Sequence, residues 1–324
     1  MRRRDFVTLL GGAAAWPLAA RAQDEAAGYP ARPITLIVPY APGGGNDVLA
    51  RAVAEPMGQT LGQPVVVENH GGAGGSIGTR QVAKAAADGY TLGLGGTGTL
   101  AIDPTLYPNA GYDPRKDFAP VGLIATSPLI VLVNPSVPAH AIQELIALAK
   151  KQKLTYASAG RGSGIHLGTV LFAEMAGIEL THVPYRGSAP ALTDLLGGHV
   201  QIYFSSLPPA IGLVKDDRLR ALGVTSLIRS ASFPDVPTVA EQGLPGFEAV
   251  LHYGIVAPAG TPRAIVGKLN AALRLALADA KVNKHIATEG AEPLPTTADE
   301  YAADIDREET KWSALVKKSG AQQK

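Results

Sequence analysis

Short apolar runs followed by glycine-rich segments recur along this chain. The first run, Ile34 to Pro39, leads into residues 41–47, and the second, Val65 to Val67, leads into residues 71–76. Further runs of the same kind begin at positions 90, 154, 183 and 201. Apolar runs of this length, alternating with turn residues and helical segments, are typical of parallel sheets. The pattern predicts an α/β fold with doubly wound sheets, in which ligands lie beyond the carboxyl ends of the strands.

Two longer apolar runs do not fit a simple strand, loop, helix unit. They cover residues 121–133, with an interruption at Thr126-Ser127-Pro128, and residues 247–257. Each is long enough to leave one sheet and enter another, so we expect a two-strand hinge. A chain of this length also exceeds what one hydrophobic core usually serves. We therefore expect a first lobe made of residues 25–125 and 251–324, including helices at 262–279 and 298–319, and a second lobe made of residues 126–250.

The glycine-rich segments carry the chemistry of an anion site. Residues 41–47 and 71–76 follow the first two strands, and residues 95–99 and 158–164 follow later ones. Such loops present main-chain N–H groups at the positive end of a helix, and the missing side chains let an anion come close. One loop of this kind could be an ordinary turn. Several at equivalent strand ends favour a site for a small anion.

The first 22 residues have the features of an export signal. Arg2, Arg3 and Arg4 precede Phe6, a mostly apolar stretch follows to Leu18, and Ala20-Arg21-Ala22 offers a cleavage site. We interpret residues 1–22 as a Tat-type signal peptide cleaved near Ala22. A membrane anchor is the alternative, but the apolar stretch is too short to span a bilayer. The expected location is the periplasm.

The amino-acid composition excludes several kinds of binding site. The chain has 29 basic and 28 acidic residues, and loss of residues 1–22 leaves 25 basic and 27 acidic residues. This nearly neutral balance does not indicate binding to nucleic acid. There is no cysteine, which excludes disulfides, thiolate metal sites and cysteine nucleophiles. The seven histidines lack metal-binding spacing. We expect neither a metal nor a cofactor.

Several motifs along the mature chain are shared with one family of receptors. They are Tyr29-Pro30, Ala41-Pro42-Gly43-Gly44 with Asp47, Val65-Val66-Val67-Glu68-Asn69, Gly72-Ala73-Gly74-Gly75 with Gly78, Asp88-Gly89-Tyr90-Thr91, His182-Val183-Pro184-Tyr185 with Gly187, and Ala257-Pro258-Ala259-Gly260-Thr261-Pro262. The chain thus resembles the Bug-type periplasmic substrate-binding proteins of tripartite tricarboxylate transporters. The resemblance implies a type II periplasmic binding protein fold, whose two lobes close over a small organic acid without catalysis. It also implies membrane permease subunits as partners, and we expect a monomer.

The resemblance further implies that main-chain groups of the first two glycine loops hold a carboxylate, with Ser and Thr groups from the other lobe. His166 could donate to the anion or simply cap its helix. Arg161 and Arg186 could pair with a second carboxylate or stay solvated. The expected ligand-binding residues are Tyr40, Ala41, Gly43, Gly44, Asp47, Gly72, Ala73, Gly74, Gly75, Thr97, Ser158, Gly162, Ser163, His166 and Ser205.

The chain departs from the family at positions that affect ligand choice. Ser205 stands where relatives often carry Asp, and His252 stands where an aromatic residue is common. Loss of the acidic group removes the natural partner of an ammonium group. We therefore expect mono- or dicarboxylates, including aromatic or hydroxy acids, to be preferred over amino acids.

Two alternative functions stay open from the sequence. Gly74-Gly75-Ser76-Ile77-Gly78 matches the nucleophile elbow of hydrolases, with His285 or His252 as a partner, although residues 71–75 separate Ser76 from its strand. A periplasmic ligand sensor for a signalling system would use the same closed lobe pair as a transport receptor. Residues 93–98 also match G-x-G-x-x-G, but Pro104 and Pro108 end the following helix early, so no dinucleotide site is expected.

Overall fold

The computed structural model describes residues 28–40, 42, 45–185, 188–288, 290–318, 320 and 322. The predicted signal peptide and the expected site residues Ala41, Gly43 and Gly44, together with Arg186, lie outside the described residues. No helix of the described part of the chain is both long enough and apolar enough to cross a membrane.

Strands and helices alternate through most of the chain, as the apolar runs predict. The strands are β1 Ile34–Val38, β2 Val65–Asn69, β3 Thr91–Gly96, β4 Phe118–Val133, β5 Leu154–Ser158, β6 Leu180–Pro184, β7 Ile202–Ser206, β8 Arg220–Val224, β9 Val250–Pro258 and β10 Glu292–Pro293. The helices are α1 Gly45–Leu61, α2 Ser76–Ala83, α3 Asp103–Leu106, α4 Ile142–Ala149, α5 Gly164–Ala176, α6 Ser188–Leu196, α7 Leu207–Lys215, α8 Arg263–Ala278, α9 Ala280–Thr288 and α10 Ala298–Lys318. A 3₁₀ turn at Ala73–Gly75 precedes α2, and a π-helical turn at Thr97–Ile102 precedes α3.

The strands follow the order β2-β1-β3-β9-β4-β7-β5-β6. The strands β2, β1 and β3 are parallel to one another, as are β6, β5 and β7. We call these two groups the first and the second half-sheet. The strands β9 and β4 run antiparallel between them. The carboxyl end of β3 pairs with Tyr253, which pairs with Ala125 of β4, and the carboxyl end of β7 pairs with Leu129 of β4. The carboxyl ends of the two half-sheets therefore face each other near the middle of β4, and the loops after β1, β2 and β3 lie opposite the loop after β5.

The strand β4 connects the two half-sheets without a break. Its first part pairs with β9, from Phe118 opposite Pro258 to Pro128 opposite Val250, and its last part pairs with β7. The prediction that the strand is interrupted at residues 126–128 is wrong. Thr126 pairs with His252 on the neighbouring strand, so the ladder continues through this segment and local turn propensity is overridden.

Two large hydrophobic clusters fill the space under the half-sheets. One surrounds β1 and β3 with α1 and α8, and the other surrounds β5 and β7 with α5. Helix α10 has 21 residues and so spans about 31 Å. Its Tyr301 packs beside the first half-sheet, whereas Trp312 is fully buried in the cluster of the second. The helix α10 therefore reaches across both parts of the molecule.

Candidate ligand-binding site

A cavity of about 340 Å³ lies where the carboxyl ends of both half-sheets face each other. The first half-sheet contributes residues after β1, β2 and β3, the second contributes the loop between β5 and α5, and β9 contributes the floor. The lining residues are Tyr40, Asn46, Gly74, Gly96, Thr97, Gly98, Asp103, Leu106, Tyr107, Ala159, Gly160, Arg161, Gly162, Ser163, Gly164, Leu251, His252 and Tyr253.

The turn after β2 requires glycine. Gly74 has φ +70° and Gly75 has φ +110°, a backbone region that residues with a side chain rarely adopt. A Cβ atom on Gly74 would lie 3.0 Å from a ring carbon of Tyr107 and 3.5 Å from Oδ1 of Asp103. The missing side chain thus keeps the main chain of this turn close to the cavity and to the Asp103 carboxyl group.

The loop between β5 and α5 is held by side chains around it. The Ser163 hydroxyl accepts a hydrogen bond from the His166 N–H at the start of α5 and donates to the Gly160 carbonyl (2.8 Å). The Gly162 N–H donates to His166 Nδ1 at 3.1 Å. Because His166 accepts this bond, Nδ1 is unprotonated and the loop conformation depends on a neutral imidazole.

A stack of aromatic rings supports this loop from behind. The rings of His166 and His182 lie 4.2 Å apart, and Tyr156 stacks on His182 at 4.8 Å. Burial lowers the pKa of His166 to about 4, with added repulsion from His182 and Arg161. Burial and then Arg161 also lower the pKa of His182 to about 4. The Ser158 hydroxyl lies 2.7 Å from His182 Nε2, so it belongs to this support.

The floor of the cavity contains a buried charge network. The His252 side chain lies on β9, and its Nδ1 is 2.7 Å from Oδ2 of Asp304 on α10. Arg307 also pairs with Asp304. The His252 main-chain N–H donates to the hydroxyl of Thr97 (2.8 Å). The central strand is thereby tied to the π-helical turn and to α10 at the level of the cavity.

Among the described lining residues that sequence reasoning missed, Asp103 carries an acidic side chain. It begins α3, is only 4% exposed and lines the cavity. Its Oδ2 has no hydrogen-bond partner among the described residues. Burial raises the pKa of Asp103 to about 8. The available signal was a single acidic residue inside a mostly apolar stretch, residues 100–106.

The structure brings five of the expected site residues together around the cavity: Tyr40, Gly74, Thr97, Gly162 and Ser163. Other expected residues that are described lie outside the cavity lining: Asp47, Gly72, Gly75, Ser158, His166 and Ser205. For Ala73 only the backbone is described, within the 3₁₀ turn.

Specific contacts explain the placement of two residues outside the lining. Asp47 is buried and accepts hydrogen bonds from Arg51 and from Asn69, which ties α1 to β2. Ser205 belongs to β7, which extends one residue beyond it, and its hydroxyl donates to the carbonyl of Ser206. Arg161, which was expected either to face the ligand or to stay solvated, lines the cavity.

The residues that a hydrolase or a metal site would need do not form such a site in the described part of the chain. Ser76 is 3% exposed, lies outside the cavity lining, and its hydroxyl has no partner among the described residues. The part of the chain that the structure describes contains no cluster of His, Asp and Glu suited to a metal ion.

The family profile described as "Tripartite tricarboxylate transporter family receptor" matches residues 49–321 of the chain. Among curated relatives, "Protein BugT" of Bordetella pertussis is 40% identical over 299 residues, which is 91% of this chain and 92% of BugT. Two solved structures are similar over nearly their whole length. A Rhodopseudomonas palustris protein with adipate has a TM-score of 0.79 and 37% identity, covering 90% of this chain and 98% of that one. MatC from the same organism with bound malate has a TM-score of 0.76 and 34% identity, covering 89% and 100%.

These similarities confirm the resemblance and the periplasmic binding protein fold that the sequence predicted. Proteins of this family are binding receptors rather than enzymes, so the hydrolase alternative built on Ser76 is not supported. The chain belongs to the tripartite tricarboxylate transporter receptor family, which includes the Bug proteins, and is a periplasmic-type solute-binding receptor.

Proposed function

We propose that this receptor binds a small mono- or dicarboxylate between its two lobes, residues 25–125 with 251–324 and residues 126–250, and delivers it to the membrane permease subunits of a tripartite tricarboxylate transporter. The observation that carries the proposal is a cavity whose walls are glycine-rich loops from both half-sheets. Such loops offer main-chain N–H donors to a carboxylate without a fixed counter-charge.

The size and charge of the cavity support this ligand class. A volume of about 340 Å³ lies at the lower end of the range for small-ligand sites, about 300 to 1,000 Å³. Arg161 is the single Arg or Lys among the described lining residues, and we propose that it pairs with one carboxylate of a diacid. Two relatives of similar fold were solved with the diacids adipate and malate. The ligand of this chain is proposed within the same chemical class.

A thermal-shift screen of organic acids tests the ligand class. A ligand that binds only the folded state raises the melting temperature by mass action. We expect dicarboxylates and aromatic or hydroxy acids to raise it and to bind with micromolar or lower Kd in calorimetry, and amino acids to bind more weakly. Tighter binding of aspartate or glutamate than of the matching acids without the amino group would contradict the proposal.

The transport role has a separate test. Deletion of the gene should abolish uptake of the bound acid in cells that otherwise depend on it. If the deletion removes only a transcriptional response to the acid and leaves uptake intact, the protein is a sensor.

We also propose that residues 1–22 direct Tat-dependent export and that the mature receptor begins at Gln23 and is monomeric. N-terminal sequencing of the periplasmic pool should start at Gln23, and Lys in place of Arg3 and Arg4 should retain the precursor in the cytoplasm. A periplasmic protein that still begins at Met1 would contradict the proposed processing.

A further inference from the structure

The Asp103 carboxyl group occupies an unusual position for a receptor of acids. It lies at the start of α3, directly after the π-helical turn, and lines the cavity that we assign to an anionic ligand. Its side chain is almost fully buried, and Oδ2 has no hydrogen-bond partner among the described residues. Its Oδ1 lies next to the turn at Gly74, where a Cβ atom would be 3.5 Å away. The carboxyl group is therefore beside the expected position of the ligand.

The elements packed around Asp103 carry titratable groups. They are Tyr40 at the end of β1, Arg80 on α2, Tyr107 and Tyr112 after α3, Arg161 in the loop before α5, His252 and Tyr253 on β9, and Asp304 and Glu308 on α10.

None of these groups forms a hydrogen bond or ion pair with the Asp103 carboxyl group. Asp304 is engaged by His252 and Arg307, and Glu308 accepts a hydrogen bond from Trp312. The Tyr112 hydroxyl donates to the Thr99 carbonyl instead. The carboxyl group thus has no fixed counter-charge in the described part of the chain.

An isolated carboxylate in such a place is strongly disfavoured, and the group responds by keeping its proton. Burial accordingly raises the pKa of Asp103 to about 8. A protonated carboxyl group carries an O–H donor, whereas a carboxylate can only accept hydrogen bonds. A negative ligand placed beside it disfavours ionisation further, since two carboxylates sharing one site retain a proton between them.

We propose that Asp103 acts as a neutral carboxylic acid that donates a hydrogen bond to a carboxylate or hydroxyl oxygen of the ligand. Asp103 is then a specificity-determining residue, because a neutral acid has no negative charge to pair with a ligand ammonium group. The inference rests on the proposed function, since it assumes that the cavity holds an organic acid. It also replaces the sequence argument from Ser205, because an acidic side chain is present in the cavity but is protonated.

The proposal predicts the pH dependence of binding. Below pH 8 Asp103 already carries its proton, so it adds no pH dependence there. Above pH 8 the free protein loses the proton and binding must take it up again. The affinity should then fall by about tenfold per pH unit until the complex itself ionises. Net proton uptake should approach one per ligand near pH 9.

Calorimetry with succinate, malate and aspartate tests this, because the three differ at C2 by hydrogen, hydroxyl and ammonium. Titrations at pH 7 and pH 9, each in two buffers of different ionisation enthalpy, give affinity and proton uptake. The wild type should bind malate or succinate more tightly than aspartate, and should lose about tenfold in affinity between pH 7 and pH 9. In Asp103→Asn the proton uptake and the loss above pH 8 should both disappear. Asp103→Leu, which lacks any donor, should bind the acids about tenfold more weakly than Asp103→Asn.

A measurement without ligand separates failure of this inference from failure of the proposed function. The ¹³C carboxyl resonance of Asp103, assigned by its absence from Asp103→Asn, should titrate well above the other carboxyl groups. Titration near pH 4 would overturn the inference whatever the ligand. So would wild-type binding of aspartate that exceeds malate and is lost in Asp103→Asn, since Asp103 would then be an ionised partner of the ammonium group. High titration of Asp103 with none of the acids bound at either pH would overturn the proposed function, and the inference with it.

Discussion

Closure of the two half-sheets over a ligand can be tested at Gly162. This residue lies in the loop between β5 and α5, has φ +78° and packs against Leu106 of α3, and both residues line the cavity. A Cβ atom at Gly162 would lie 2.0 Å from Leu106 Cδ2. Leu106 is only 1% exposed, so its side chain has little room to withdraw. Gly162→Ala should therefore disfavour the arrangement in which these two residues touch, relative to one in which they lie apart.

The expected loss in ligand affinity follows from the contact between the added methyl group and Leu106. An added methyl group in a packed site costs about 1 to 3 kcal/mol, which corresponds to a loss of roughly fivefold to hundredfold in affinity. Alanine in the left-handed region adds a cost of about 1 kcal/mol, but this strain is present in the open and the closed forms alike. The ligand affinity should therefore fall only by the cost of the clash with Leu106.

Gly177→Ala is the matched control. Gly177 caps α5 with φ +61°, and a Cβ atom there would meet nothing within 4 Å. Both variants carry similar backbone strain, so calorimetric titration with the acid selected by thermal shift isolates the contact with Leu106. The double variant Gly162→Ala with Leu106→Ala should recover part of the lost affinity. Equal affinities for Gly162→Ala and Gly177→Ala would refute the reasoning.

Three further outcomes are expected. First, the neutral His166 contributes stability that is present above pH 6.5 and lost as the pH falls toward 4. His166→Gln should therefore flatten the fall in unfolding free energy across this range by up to about 1.4 kcal/mol per pH unit, as denaturant titrations would reveal. Second, Ser163→Ala should reduce affinity about tenfold if its hydroxyl bonds the ligand; an unchanged Kd in calorimetry would limit Ser163 to capping α5. Third, Gly74→Val should abolish binding while circular dichroism stays native, because the side chain would meet Tyr107; retained affinity would place the ligand away from this turn.

The sequence predicted the strands β1 to β7 and β9, and the glycine turns, because both depend on local physics. The run Ile34 to Val38 is apolar enough to be a buried strand, and Gly74 and Gly75 are required wherever the backbone enters the left-handed region. The same reasoning missed Asp103. An Asp side chain is mostly exposed in folded proteins, and the burial of Asp103 results from tertiary contacts near Gly74 and Tyr107.

Other departures from the predictions also have tertiary causes. The strand β4 passes through Thr126 and Pro128 because β9 pairs alongside it. The helix α9 and the short strand β10 were not predicted at all. They are stabilised by packing against α8 and β4, where Glu292 pairs with Thr126, rather than by a strong apolar pattern.

The burial of Trp312 in α10 has a practical consequence for spectroscopy. The chain has two tryptophans, and the other, Trp16, lies within the proposed signal peptide. A receptor that begins at Gln23 would therefore carry one indole. This indole donates a hydrogen bond to Glu308, and the Lys311 ammonium group lies 5.2 Å from its ring centroid. Emission excited at the red edge would come from this residue alone. Because α10 contacts both half-sheets, any rotation between them should shift the emission maximum or change the quenching of that emission. Tryptophan fluorescence therefore gives a label-free readout of closure.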